Sequence, residues 1–417
     1  MERQRGMSRV AALDGLRALA VIAVMLEHSH LQFGHGGLFG VDVFFVLSGF
    51  LITGVLLGER ERHGRISFRR FYARRVLRLY PALVVVLIVC TPVGWTLVPG
   101  HTWGDWFAAV AAAATYTSNF VILVNGQLTL GVLDPTWSLA IEEQFYLLWP
   151  VALMGLLALG VSARARIGIV LAVAAGGLSL FWITYHPLTG PAVPLDMSGL
   201  SAYVRPDARF GELLIGCALA MALAGRRGRP LPVWGERAMA GAVLVAIAGL
   251  WLSRELFVQT LQPGGGNPMA MIPVVAVCAG ILVARIATGP RSWTARVLSL
   301  TPLPQIGLIS YGLYLWHAPV FAVIKEDPFG LTGAEQLVQW ALTFALAIAS
   351  YLVVEQPFLR LKDRLRDTPV AGLQPAPAVV GAAAPAGVLG AAPAAGGAEA
   401  RAAGGRPEPV AVARADE

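Results

Sequence analysis

The sequence predicts an all-α, polytopic integral-membrane bundle of ten transmembrane helices plus one re-entrant or interfacial segment. Composition is the first reason. Hydrophobic residues make up 56% of the 417 residues and charged residues only 14%, against about a quarter charged in soluble domains. Mean hydropathy is +0.64. The second reason is length: apolar runs of about 20 residues, enough to cross a hydrocarbon core, recur along the chain. The third is where the positive charge sits.

The runs fall at 10–28, 40–57, 80–98, 137–160, 167–186, 208–225, 237–253, 269–287, 305–324 and 334–356, with an eleventh apolar segment at 104–124. The stretch 58–78 carries eight arginines, and after Arg78 the next Lys or Arg is Arg164. Further basic groups lie in 225–237, 285–296 and 360–366. Lys and Arg gather in cytoplasmic loops. All these groups share one side only if 104–124 does not cross, and Asp105, Tyr116, Thr117, Ser118 and Asn119 make that segment polar for a span. Both termini are then expected in the cytoplasm of a bacterial plasma-membrane protein. The alternative under the same rule is an eleven-span chain with an external C-terminus.

The first run is expected to be retained rather than cleaved as a signal peptide, because Asp14 and Arg17 interrupt it. Cys90, Cys217 and Cys278 all fall inside apolar runs, so neither a disulfide framework nor a metal site is expected. The net charge of +7 belongs mostly to short loops and does not call for nucleic acid. Two regions are predicted: a membrane domain at 1–366 and a disordered cytoplasmic tail at 367–417, rich in Ala, Gly and Pro without periodicity. There is no clear internal repeat of the kind common in transporters.

Ionisable residues inside spans are costly and mark function by default. Arg17 and His28 are eleven residues apart, which on a helix is three turns plus about 20°, so they share a face about 16 Å long. Arg17 is then near the inner end and His28 near the outer end. Coenzyme A fits such a face, with an anionic nucleotide head for a forked guanidinium and a slender arm ending in a thioester near an imidazole suited to proton transfer. The plainer alternative is a snorkelling Arg and an interfacial His.

Asp42, at the outer end of the second span, or Glu27 is a candidate to orient that imidazole; Ser48 and Gly49 read as close-packing residues. Arg75 and Arg78 share a helix face at i, i+3. With Arg74 and Arg17 they form a candidate clamp for the phosphates of acyl-CoA, or else a topology signal with lipid headgroup contacts. In the span from Trp137, Glu142 stands four residues from both Ser138 and Tyr146, next to Glu143. The ten-span topology places Glu142 at the level of His28, as a partner to the imidazole or a holder of the acceptor hydroxyl; the alternative is a helix cap. Glu143, Tyr146, Arg209, Glu212, Tyr311, Tyr314 and His317 are candidates to line or brace an acceptor site, and Glu355 closes the last span before Pro357.

Taken together, Arg17 with His28, the segment GVDVFFVLSGFLIT, Arg75 and Arg78 before Pro81, SLAIEEQFY and SYGLYLWHAP resemble the acyltransferase-3 family of membrane O-acyltransferases. The strings occur in the family's order and span about 350 residues. The resemblance implies a ten-span bundle, an acyl donor taken as acyl-CoA (acetyl-CoA above all) from the cytosol, and no permanently bound cofactor. It implies a carbohydrate or glycosylated acceptor, such as a cell-surface polysaccharide or a macrolide sugar, and functional positions at His28, Arg17, Arg75, Arg78 and Glu142. Some members carry a C-terminal SGNH-type esterase domain. Its expected absence here favours direct transfer over a relay through a soluble domain. Direct attack of the acceptor and prior acylation of His28 both remain open, as does the rival class of a secondary transporter or flippase that performs no acyl transfer.

Overall fold

The computed structural model describes residues 2–29, 36–94, 102–125, 130–185, 203–224, 232–260, 271–289, 291–324 and 333–364. The tail expected to be disordered, the connections at 186–202, 261–270 and 325–332 and much of the basic stretch 225–237 lie outside the described residues.

Among the described residues every regular element is a helix. Helix α1 (Glu2–His28) is followed by a 3-10 turn (Gly37–Phe39) and then α2 (Gly40–His63) and α3 (Phe68–Gly94). The 104–124 segment is not one helix but two, α4 (Trp103–Ala114) and α5 (Ser118–Asn125). Their rises of about 18 and 12 Å are each shorter than a hydrocarbon core of about 30 Å. The break between them holds Tyr116 at φ 54°, a left-handed backbone that is unusual for a bulky residue. The Gln144 side-chain amide steadies the break, donating to the Tyr116 carbonyl and to Asn119 Oδ1 at 2.8 Å each. Next come α6 (Thr136–Ala158), α7 (Ala163–Tyr185), α8 (Pro206–Ala224), α9 (Val233–Thr260) and α10 (Ile272–Thr288). The short α11 (Trp293–Leu298) and α12 (Leu303–Leu308) lead into α13 (Ser310–Val323). Finally α14 (Gly333–Ser350) passes through a π-helical turn (Tyr351–Glu355) into α15 (Gln356–Arg364).

Among the described residues five helical stretches are long and apolar enough to cross a membrane: Gly37–His63, Phe68–Pro92, Ala163–Leu180, Val233–Leu252 and Gly333–Leu361. The expected ten is a larger number for physical reasons. Charges inside the apolar runs of α1 (Asp14, Arg17, Glu27), α6 (Glu142, Glu143) and α8 (Asp207, Arg209, Glu212) lower their hydropathy, and the 305–324 run is divided between α12 and α13. Outside, the helices carry exposed apolar side chains such as Leu147, Leu148 and Val151 on α6, Leu244 and Val245 on α9, and Leu337 and Val338 on α14. Water would not tolerate so broad an apolar exterior, and lipid does. The chain is a multi-pass membrane protein.

Small residues set the spacing inside. A Cβ on Gly49 would lie 1.8 Å from the Leu213 carbonyl oxygen, and one on Gly216 would lie 2.0 Å from that of Val46, so α2 and α8 touch backbone to backbone. Gly15 meets Leu298 and Gly307 meets Asp14 in the same way, at 1.8 and 1.9 Å, joining α1 to α11 and α12. In lipid, where apolar burial does not drive helices together, such close approach is what holds them. The packing role expected of Gly49 is therefore observed. The main core is filled from α1, α2, α3, α6, α8 and α13, with Val21, Phe45, Leu83, Ile141, Leu213 and Leu313 all buried.

Candidate functional site

An open cleft with about 900 Å³ of space free of protein atoms, part of it open to the outside, lies between α1, α2, α3, α6 and α13. Three guanidinium groups enter it, from Arg17 on α1 and from Arg75 and Arg78 on α3. The i, i+3 spacing of the α3 pair puts both on the face turned to the cleft. Glu142 and Tyr146 reach in from α6, Ser48 from α2, and Tyr311 and Tyr314 from α13.

Arg75 is held on two sides. Its Nη2 pairs with Glu143 Oε1 at 2.8 Å, and its guanidinium lies 3.4 Å above the centre of the Tyr146 ring. Glu143 thus acts on Arg75 rather than lining the cleft. Glu142 accepts two hydrogen bonds on one oxygen, Oε1, from the Ser48 and Tyr146 hydroxyls. The sequence marked Tyr146, one turn along the helix, but assigned Ser48 to packing. A serine beside a glycine in an apolar span has that appearance until the α2–α6 contact places it opposite the carboxylate. Ser138 hydrogen-bonds to the Tyr314 hydroxyl at 2.6 Å, and Tyr311 donates to the Leu79 carbonyl at 2.9 Å.

Glu142 does not lie at the level of His28. Helices α1 and α2 run antiparallel, and a Cβ on Gly40 would lie 2.3 Å from the Ala20 carbonyl oxygen. Ser48 is eight residues further along α2, about 12 Å of rise, which carries it away from the His28 end of α1 and past the depth of Arg17. The carboxylate that Ser48 holds therefore gathers with the arginines. His28 stands at the other end of the α1 face, about 16 Å from Arg17 along the axis. The expectation of a common level failed because loop charge fixes which end of a helix is which, not how far each helix is inserted against its neighbours.

His28 is exposed at the end of α1. Its Nδ1 lies 2.9 Å from the Val24 carbonyl oxygen. A carbonyl only accepts, so Nδ1 carries the proton and Nε2 is the basic nitrogen. The neighbouring ring is His317, with centroids 5.0 Å apart, and His317 in turn lies 5.5 Å from the ring of Tyr314.

Asp42 is not beside His28. It is fully buried against α8, where Arg209 pairs with Asp42 at 3.0 Å and with Glu212 at 3.0 Å. The guanidinium sits within 4.9–5.7 Å of the rings of Tyr203, Phe45 and Trp137. This triad is a buried ionic knot behind the cleft wall. Glu27, the other carboxylate considered for the imidazole, accepts the Gly37 backbone N–H at 2.9 Å and so closes the turn before α2. Arg74 pairs with Glu59 at 3.0 Å, and Glu59 also accepts the Ser67 N–H at 3.2 Å, so Arg74 braces the α2–α3 connection outside the cleft. Glu355 is buried in the π-helical turn. Among the described residues no group of His, Cys, Asp and Glu could hold a metal ion.

The fold and the cleft define a class: a membrane-embedded helical protein with an arginine-lined cleft and an imidazole at the other end of the α1 face that bears Arg17. A profile of the acyltransferase domain matches residues 10–354; the chain belongs to the acyltransferase-3 family. It is 34% identical over 380 residues to the peptidoglycan O-acetyltransferase OatA of Listeria monocytogenes, covering 86% of this chain and 57% of that protein. It is 31% identical over 382 residues to the O-acetyltransferase OatA of Staphylococcus aureus, covering 86% of this chain and 58% of that protein. The chain thus spans a little over half the length of these relatives. No solved structure matches it.

Proposed function

We propose that the protein is a membrane O-acyltransferase that moves an acyl group, acetyl or another short acyl, from cytoplasmic acyl-CoA to a carbohydrate hydroxyl. The acceptor is a cell-surface glycan or a glycosylated small molecule, as the names of the relatives suggest. The observation that carries this reading is the convergence of Arg75 and Arg78 from α3 on Arg17, whose α1 face also bears the His28 imidazole.

Arg17, Arg75 and Arg78 hold the anionic head of the donor at the cytoplasmic end, as forked donors to phosphate. The pantetheine arm runs along α1 and presents the thioester near His28. The Nε2 of His28 takes the proton of the acceptor hydroxyl, whose oxygen attacks the thioester carbonyl; the carbon–sulfur bond breaks, and the sulfur leaves with the proton from the imidazolium. Glu142, set by Ser48 and Tyr146 beside the arginines, acts on the donor end rather than on the imidazole, offering its oxygens to N–H and O–H groups of the donor arm.

The test uses purified protein in lipid vesicles, labelled acetyl-CoA and glycan fragments, with products read by mass spectrometry. Wild type is expected to acetylate a hydroxyl, and His28→Ala to lose at least about 10²-fold in turnover while remaining folded. A His28→Ala protein with normal turnover would end this assignment. Wild-type protein that binds acetyl-CoA without turning it over would favour a transporter.

A further inference from the structure

Glu355 has no part in the mechanism above, yet the backbone is arranged to bury it. The buried face of α14 runs at α-helical spacing through Gln339, Thr343, Ala347 and Ser350. Continued at that spacing, it would reach Val354 and leave Glu355 about 140° away from Ser350. The chain does otherwise. Over Tyr351–Glu355 it is π-helical, and the Gln356 N–H donates to the Tyr351 carbonyl five residues back. Residues five apart then stand nearly over one another, and Glu355 joins the face of Ser350. Pro357 accounts for the switch. It has no N–H to offer the Val353 carbonyl, and in a regular α-helix its ring would collide with that carbonyl. Single π-helical turns of this kind recur at functional sites.

Glu355 is only 5% exposed, and its Oε1 has no hydrogen-bond partner among the described residues. The cations that act on it are Arg78 from α3 and Arg17 from α1. Tyr311 of α13 and Tyr351 of its own turn are the other titratable groups facing it. Both arginines line the cleft, and Glu355 does not. Its charge therefore reaches the two cations from outside the space a ligand would fill, too deep for solvent to screen it well. Asp14 acts on the same two arginines but is only half-buried.

We propose that Glu355 is a fixed counter-charge to the donor site, which tempers the pull of Arg78 and Arg17 on the donor's phosphates so that product CoA can leave. This rests on the acyl-CoA reading. Acyl-CoA and CoA carry the same phosphates, so arginines that hold the substrate hold the product equally well. Such uniform binding does nothing for the chemical step and slows release. Glu143 already offsets Arg75 by direct contact. A carboxylate outside the cleft offsets the other two without blocking the place the phosphates take.

The test measures CoA affinity by calorimetry on the purified full chain, for wild type, Glu355→Gln, Glu355→Ala and Glu355→Asp. Pantetheine, which lacks the phosphates, is the control probe. Both uncharged variants are expected to bind CoA about tenfold more tightly, roughly the influence of one charge at about 10 Å through an effective dielectric constant of about 20. Glu355→Asp is expected to stay near wild type. Product inhibition by CoA in the acetyl-transfer assay should deepen by the same factor in the uncharged variants, and that assay also reports that they are folded. The affinity for pantetheine should not move, a split that a merely structural role would not produce. Uncharged variants that bind CoA no more tightly than wild type, or that gain equally on pantetheine, would overturn the assignment while leaving acyl transfer standing. Wild type that does not bind CoA would overturn both.

Discussion

The guanidinium of Arg75 is clamped between the Glu143 carboxylate at 2.8 Å and the face of the Tyr146 ring at 3.4 Å, with one edge left to the cleft. Only a planar, delocalised cation can stack and pair at once. Arg75→Lys keeps the charge and is expected to raise the KM for acetyl-CoA about tenfold, the size of a desolvated cation–π contact together with one fork hydrogen bond. The KM for the acceptor should not move. Initial-rate kinetics with each substrate varied in turn make the check, and equal KM values for the Lys and Arg forms would remove Arg75 from the donor site.

Glu142 accepts both its hydroxyl donors on one oxygen. Ser48→Ala and Tyr146→Phe each remove one, and Tyr146→Phe leaves the ring under Arg75. Each is expected to raise the KM for acetyl-CoA by about 3- to 10-fold, the net worth of one ordinary hydrogen bond. The double variant should show less than the product of the two effects, because both donors serve the same atom. Strict multiplicativity would mean that the two hydroxyls act separately.

The Asp42–Arg209–Glu212 knot makes a stability prediction. Arg209→Met strands two buried carboxylates and is expected to cost about 3–5 kcal/mol. Adding Asp42→Asn and Glu212→Gln should recover most of the loss, since an uncharged triad needs no counter-ion. Thermal inactivation in detergent, followed by size-exclusion chromatography, reads both steps. A triple variant no more stable than Arg209→Met would show that the charges do more than compensate one another.

Two glycines on α2 should behave oppositely. A methyl group on Gly49 meets the Leu213 carbonyl at 1.8 Å, whereas one on Gly54 meets nothing within 4 Å. Gly49→Ala is expected to lower the apparent melting temperature by several degrees, because backbone must move to admit it. Gly54→Ala should be neutral or gain up to about 1 kcal/mol from helix propensity. The same thermal assay compares them, and equal behaviour would contradict the α2–α8 contact.

The sequence revealed those features that depend on a single helix. Hydropathy marked the apolar runs, the eleven-residue interval put Arg17 and His28 on one face, and i, i+3 and i, i+4 spacings brought Arg75 with Arg78 and Glu142 with Tyr146 into the cleft. What depends on two helices was not visible. Asp42 lies near His28 in sequence but faces α8, because Gly49 and Gly216 draw α2 and α8 into contact and Arg209 meets the carboxylate there. Ser48 became a partner of Glu142 only through the α2–α6 contact. The depth of Glu142 was misjudged because loop charge and hydropathy are blind to how far neighbouring helices are shifted along one another. His317 was marked for the acceptor site, while its place beside His28 depends on how far α13 rises along α1.

The backbone contacts at Gly15, Gly49, Gly216 and Gly307 have a mechanical consequence. Helices that meet through carbonyl oxygens cannot slide past one another without collision, since a neighbouring position carries a side chain where the glycine left none. With Gly40 against Ala20 joining α1 to α2, elements α1, α2, α8, α11 and α12 are keyed together as a frame, and Arg17 and His28 stand on one helix of it. On the proposed acyl-transfer reading, movement that admits a bulky acceptor is then expected from the walls outside that frame, on the side of α3 and α6, with the frame as the ruler against which the proposed donor is measured.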